Sequence, residues 1–357
     1  SFGAVVANLM PKEGQVGVMR KPSHWVLEAI RSGVPGRLLS RRRWLTGAAL
    51  AFPGLAWPAW GQAPSKRSTD ASEQALIERV QDTARKAGLG PLRSRTSEHF
   101  LGLGNAPPRF QSEAVEKVCE PLARAFVTHF GERGFPVDLP KHRMTVVTLK
   151  DHASYRAYIG QDPGPDVGGQ YDLETNQLVV FDFRTRPDVP AEKAERVNTL
   201  TLVHETTHML SFNTGLLARE ADVPACISEG LATYVELWKP SDRRGRGFDR
   251  TTNIHRLQVL IDAGADEVPW ISLTKLVADD GLFDKPETAQ LAYAESWLLV
   301  HRLMTPAWRS KFQAYLAGLP RAGEAKRDRV ADAEARLGSL GNLDKELKRH
   351  ARDLLRR

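Results

Sequence analysis

Cysteine is nearly absent, with only Cys119 and Cys226 among 357 residues. That excludes a disulfide-stapled scaffold and any four-cysteine metal site. Two readings stay open for the pair: a single bridge in an oxidising compartment, or small buried residues, with Cys226 close to the segment that supplies a metal ligand below. Long apolar runs are also missing. Leu45–Trp60 covers 16 residues and is interrupted by Pro53 and Pro58, short of the roughly 20 needed to cross a bilayer. No internal repeat is present. The net charge of +7 is unevenly spread: residues 1–63 carry 8 Lys/Arg and 2 Asp/Glu, leaving 42 against 41 in the remainder. A body so close to neutral argues against a nucleic-acid partner. The 41% hydrophobic and 26% charged content is ordinary for a soluble globular chain of one large or two modest domains.

The basic excess belongs to a leader. Ser40-Arg41-Arg42-Arg43-Trp44-Leu45 precedes the short apolar stretch, which ends in Gly61-Gln62-Ala63. Charged segment, apolar segment and small residues at a cut site together read as a twin-arginine export signal over residues 40–63. Export to the periplasm or beyond is expected, with no stable membrane span after processing. Residues 1–39 read as an extension, and with Met10 and Met19 upstream of the signal, the start of this stretch as an over-extended gene start.

Residues 64–94 read as a linker and a helix, Ala71–Lys86, that stops at Gly88. Beyond it, Glu98–Leu103 reads as a short strand and Ser112–Gly131 as an amphipathic helix, its apolar residues Val115, Val118, Leu122, Phe126 and Phe130 at helical spacing. Arg143–Leu149 is a strand and Asp151–Tyr158 a helix with an acidic start. Gly168–Leu173 and Gln177–Phe183 flank Glu174-Thr175-Asn176 as a β-hairpin. Ala191–Phe212 is apolar on more than one side, as a buried central helix would be. Helices are also expected after Pro224 and over Asn253–Ala263, Leu273–Val277 and Thr288–Met304, with a solvated loop over Lys239–Asn253. The charged tail, 321–357, carries a stripe of Leu340, Leu343, Leu347 and Leu354 that either packs on the body or frays.

Inside the buried helix lies His204-Glu205-Thr206-Thr207-His208, an H-E-x-x-H pattern. Residues i and i+4 share a helix face, so His204 and His208 can offer two imidazole nitrogens to one metal ion. Glu205 then sits beside the open coordination position, where a carboxylate can take a proton from water as it attacks a carbonyl. Eighteen residues separate His208 from Ile227-Ser228-Glu229-Gly230-Leu231-Ala232-Thr233-Tyr234-Val235-Glu236. That segment supplies a third ligand, Glu229, and two histidines with one glutamate are an established set for catalytic zinc, Zn2+. Glu236, two helical turns on, projects from the same face and could accept a hydrogen bond from the second nitrogen of a ligand histidine.

These segments resemble the gluzincin metallopeptidases (peptidase MA-like), most closely the helical catalytic domain of the aminopeptidase N class. There H-E-x-x-H is followed after about twenty residues by N-E-G-[FL]-A-x-[YF]-x-E; here Ser228 replaces the asparagine, while Glu229, Gly230, Ala232, Tyr234 and Glu236 are kept. Tyr293-Ala294-Glu295-Ser296-Trp297 follows 64 residues after Glu229, where those enzymes carry the tyrosine that stabilises the oxyanion. The serine before E-G-L-A and the later Y-x-x-S-W look most like an uncharacterised bacterial secreted family, domain of unknown function 1570. The resemblance implies an α+β, zincin-like fold over 95–320. A small N-terminal subdomain would present the hairpin as an edge strand above the cleft, and a mostly helical subdomain would follow. It implies zinc on His204, His208 and Glu229, Glu205 as base and then proton donor, Tyr293 on the oxyanion, and Glu236 with Tyr234 behind the ligands. The G-x-M-E-N segment that captures a free amino terminus in aminopeptidases has no counterpart in Gly168–Phe183, so cleavage of a peptide or protein substrate is expected to be endopeptidase-like. A catalytically inactive zincin-fold binding module of the cell envelope is the alternative. Retention of Glu205 favours the enzyme, because a structural metal site has no use for that carboxylate.

The leader generates the first prediction. Replacing Arg41 and Arg42 together by lysine should leave the protein in the cytoplasm on cell fractionation, and undiminished periplasmic recovery would defeat the export assignment.

Overall fold

The computed structural model describes residues 71–163, 167–250, 252–265, 268–320 and 328–356. The extension, the twin-arginine segment and the linker up to residue 70 lie outside them. Helix α1 is Ala71–Lys86, and the chain leaves it through Gly88 at a φ of 70°. Strands β1 (Arg93–Thr96) and β2 (Phe100–Gly104) form a hairpin. Helix α2 is a continuous rod in three parts, Pro108–Ser112, a π-helical Glu113–Cys119 and Glu120–Gly131. Next come β3 (Met144–Leu149), α3 (His152–Ile159), β4 (Gly169–Asp172) and β5 (Gln177–Phe181). Asp151 caps α3 by accepting the Ser154 N–H, and Gly160 ends it in the left-handed region. Asn176, at a φ of 55°, makes the turn between β4 and β5.

The sheet has five strands in the order β1-β2-β3-β5-β4, with β2, β3 and β5 parallel and β1 and β4 antiparallel on the two edges. Side chains alternate across a strand, and the apolar ones divide accordingly. Phe100, Met144, Val146, Leu178 and Val180 enter one core; Leu101, Leu103, Val147, Leu149, Val179 and Phe181 enter the other. The second core is closed by α1 and α3, and Ala194, Val197 and Tyr293 from later helices also enter it. The first is closed by α2 and by the helices that follow: α4 (Ala191–Asn213), α5 (Ala225–Val235), the short α6 (Gly247–Arg250), α7 (Ile254–Ala265), α8 (Leu273–Ala278), α9 (Pro286–Leu303), α10 (Arg309–Ala317), α11 (Arg329–Leu337) and α12 (Leu340–Leu355). The architecture is α+β, as expected.

Several expectations need adjustment. The boundary expected at residue 94 falls inside β1, and α1 buries Val80 and Ala84 against the sheet, so residues 71–94 belong to the same packed body. Strand β1 reads Arg-Ser-Arg-Thr, an edge strand whose exposed side chains carry no apolar alternation to mark it in the sequence. Of the two outcomes open for the tail, packing is the one observed: Leu340, Leu343, Leu347 and Leu354 are all buried in the main core. Cys119 and Cys226 are both free and buried, and burial pushes both thiols up, Cys119 to about 12.

Two features seat α5. Asp280 accepts the Ala225 N–H at its first turn (2.8 Å) and is itself held by Arg329 of α11 (2.9 Å), which also binds Asp222. At Gly230, α5 passes so close to α9 that an added Cβ would lie 2.6 Å from both the Ser296 carbonyl oxygen and Val300 Cγ2. Glycine costs a helix about 0.5–1 kcal/mol relative to alanine, so Gly230→Ala at an open site would stabilise. Here it should destabilise by about 1–3 kcal/mol through overpacking, read as a lowered denaturation midpoint; an unchanged or raised midpoint would contradict the close approach.

Candidate metal centre

Helix α4 is buried from Thr201 to Phe212, which is why its sequence shows no single apolar stripe. Its depth is set at the N-terminal half, where Asn198 accepts the Phe183 N–H (2.9 Å) and donates to Asp182 (3.0 Å). The two residues between Glu205 and His208 are also accounted for. Thr206 Oγ1 lies 3.2 Å from Cys119 Sγ of α2, and the Thr207 hydroxyl donates to the Val203 carbonyl at 2.7 Å.

On this scaffold three donor atoms converge. Nε2 of His204 and Nε2 of His208 are 3.2 Å apart; Oε2 of Glu229 is 3.2 Å from the first and 3.4 Å from the second. A tetrahedral ion with bonds of about 2.0–2.1 Å holds its ligand atoms about 3.3 Å from one another. The triangle therefore has the size that such an ion requires. All three residues are at most 5% exposed, so a bound ion would be screened from bulk water on the protein side. Two nitrogens and one carboxylate oxygen form the donor set of a divalent transition metal.

The electrostatics point the same way. Burial works to lower the His204 pKa, but Glu229 and Glu236 outweigh it and bring it up to about 9. Burial likewise opposes ionisation of Glu229, and the two histidines hold its carboxyl far below the usual range. Glu236 is lowered against burial by Arg256 and His204. Two carboxylates held ionised beside the imidazoles supply negative charge that a bound cation can take up in place of a histidine proton.

Glu205 lies beside the triangle on α4, and its Oε2 accepts the Tyr171 N–H of β4 at 2.8 Å. Strand β4 is the sheet edge, so this contact ties the glutamate to the edge strand. Glu236 stands behind His204, with Oε2 3.7 Å from Nδ1. The far side of its carboxylate receives Asn253 and Arg256. Tyr234 takes a different direction from Glu236, its hydroxyl meeting Nε2 of the buried His129 on α2 at 3.1 Å. Tyr293, on α9, is buried; Phe283 meets its ring edge-on at 5.1 Å and the Arg256 guanidinium lies 5.3 Å from its centroid. Tyr293 is thus linked to the triangle through Arg256 and Glu236. Glu295 accepts the Ile271 N–H at 2.8 Å, and burial pushes its carboxyl up to about 8.

Asn253, Arg256 and Tyr171 are the additions that the sequence reading did not foresee. Asn253 was expected at the end of a solvated loop, yet it is buried and bonded to Glu236. The available signal was Arg256 itself, which sits four residues before the core leucine Leu260 on the inner side of α7. Among the described residues a second convergent group, Glu98, His99 and Glu120, is partly exposed. Its Glu120 carboxylate is already engaged by Ser97, His99 and Arg124.

A family described as "Protein of unknown function (DUF1570)" matches residues 198–322. That span includes His204, Glu205, His208, Glu229, Glu236, Arg256 and Tyr293 and leaves out the sheet. No curated protein matches the sequence.

The triangle makes a stoichiometric prediction. Purified protein equilibrated with a zinc salt should retain about one ion per chain after desalting, and His208→Ala should lose most of it. Equal zinc in parent and variant by elemental analysis would refute the site.

Proposed function

We propose that this chain is an exported zinc metallopeptidase of gluzincin type that hydrolyses peptide bonds, with His204, His208 and Glu229 holding the metal. The observation that carries this reading is the donor triangle of 3.2, 3.2 and 3.4 Å with the carboxylate of Glu205 next to it on the same helix. Zinc held by such a set supplies a Lewis acid that polarises a carbonyl and brings the pKa of a coordinated water to about 7.

The chain's own groups account for the remaining requirements. The Tyr171 N–H holds Glu205 Oε2 and limits the rotation of the side chain, leaving the other oxygen to accept a proton from the attacking water. A general base must also return its proton to the leaving amine, and a carboxylate fixed at one oxygen can do both without moving far. An extended peptide would add as a further strand along the edge of β4 beside Glu205, with the Tyr171 N–H kept by that carboxylate. Tyr293 would steady the oxyanion as charge develops on the carbonyl oxygen. Endopeptidase-like cleavage in the periplasm is the expected activity, since the G-x-M-E-N segment of aminopeptidases has no counterpart in Gly168–Phe183.

Glu205→Gln separates the enzyme from an inactive binding module of the same fold. The amide oxygen of glutamine can still accept the Tyr171 N–H, so fold and zinc content should be preserved. Cleavage of peptides found by an unbiased library screen should fall by about 10² to 10⁴ in rate. A Glu205→Gln protein that cuts those peptides as fast as the parent would sink the mechanism even with zinc in place.

A further inference from the structure

Arg256 ranks among the largest fully buried side chains of the protein. A guanidinium removed from water calls for a charge partner and for use of its donors. Its Nε and Nη2 donate to Oε1 and Oε2 of Glu236, both at 3.1 Å, a two-point fork that fixes the plane of the carboxylate as well as its charge. Asn253 completes the clamp. Its Nδ2 donates to Oε1 of the same carboxylate, and its Oδ1 accepts the Arg256 N–H at 3.3 Å in the first turn of α7. Oε2 of Glu236 faces Nδ1 of His204 at 3.7 Å. On its other side the Arg256 guanidinium lies 5.3 Å from the Tyr293 ring centroid, and that ring is backed by Phe283.

We propose that Arg256, assisted by Asn253, is a positioning residue of the metal centre. It locks Glu236 against the back of His204 so that the imidazole keeps Nε2 turned towards the donor triangle, and it sets the ring of Tyr293 from the same guanidinium. The inference rests on the metal reading of His204, His208 and Glu229. A side chain that only neutralised Glu236 could be any buried cation. The fork and the two-sided contact require a planar group, which lysine does not offer.

That difference supplies the test, made on the full chain by zinc competition against a chromophoric chelator. Arg256→Lys keeps the positive charge and loses the fork, so it should fold, by circular dichroism, and bind zinc about 10–100-fold more weakly. Glu236→Gln should lose a comparable factor. Because Arg256 acts through Glu236, adding Arg256→Lys to Glu236→Gln should weaken binding by less than about twofold more. Parental zinc affinity in a folded Arg256→Lys protein would overturn the proposal, reducing Arg256 to charge neutralisation. So would losses that multiply in the double variant. Should Arg256→Lys fail to fold, Asn253→Ala leaves the ion pair intact and removes half the clamp; a measurable loss of zinc affinity supports the proposal and parental affinity overturns it. A parent chain with no zinc affinity would instead defeat the metal reading itself.

Discussion

Burying carboxylates close together is the constraint on which the centre of this protein depends. Glu205, Glu229 and Glu236 are each at most 5% exposed, and an ionised carboxylate in such surroundings must be paid for by a partner within hydrogen-bonding reach. Each has a different one. Glu236 is clamped by Arg256 and Asn253, Glu229 faces two imidazoles, and Glu205 takes a backbone N–H from the edge strand. The partners come from three elements, α4, α7 with the residue just before it, and β4, so two helices and one strand must arrive together for the three acids to be buried.

The packing of α5 follows from this requirement. Glu229 reaches the histidines only if α5 lies tightly between α4 and α9, and Gly230 is the residue that permits the approach. Its first turn is pinned by Asp280, which is tied to Asp222 and the C-terminal helices through Arg329. The stripe of leucines in α12 packs these C-terminal helices into the main core. A segment that reads as a charged tail therefore stabilises the helix that presents the third donor.

The sheet contributes in another way. Its parallel centre is covered on both faces, while β4 remains an antiparallel edge whose Tyr171 N–H meets Glu205. That backbone N–H reaches the Glu205 carboxylate without an intervening side chain. Asn198, two turns earlier on α4, is fixed to Asp182 and Phe183 at the exit of β5, so the helix is tied to the sheet at two points.

Much of the candidate site was legible in the sequence because helical geometry is local. The i, i+4 spacing of His204 and His208 puts two nitrogens on one face, and the run Glu229 to Glu236 returns to the same side after two turns. The boundaries of α1, α4 and α5 follow from punctuation at Gly88, Asn213 and Pro224. Other features depend on contacts between residues far apart in the chain, and no local spacing encodes those. The 20-residue separation of Arg256 from Glu236, the pairing of β1, and the backbone bond from Tyr171 to Glu205 are of this kind. Tyr234 illustrates the difference well: the sequence sets it two residues before Glu236, but the packing of α2 turns its hydroxyl to His129. The two cysteines were open to pairing on composition alone, and burial in separate places left both as thiols. The sequence by itself determined which atoms can form the donor set, because helix periodicity is a property of the backbone. Tertiary structure alone decided which charges and backbone groups stand behind those atoms, because burial of a charge is answered by whatever the packed fold brings within 3 to 4 Å.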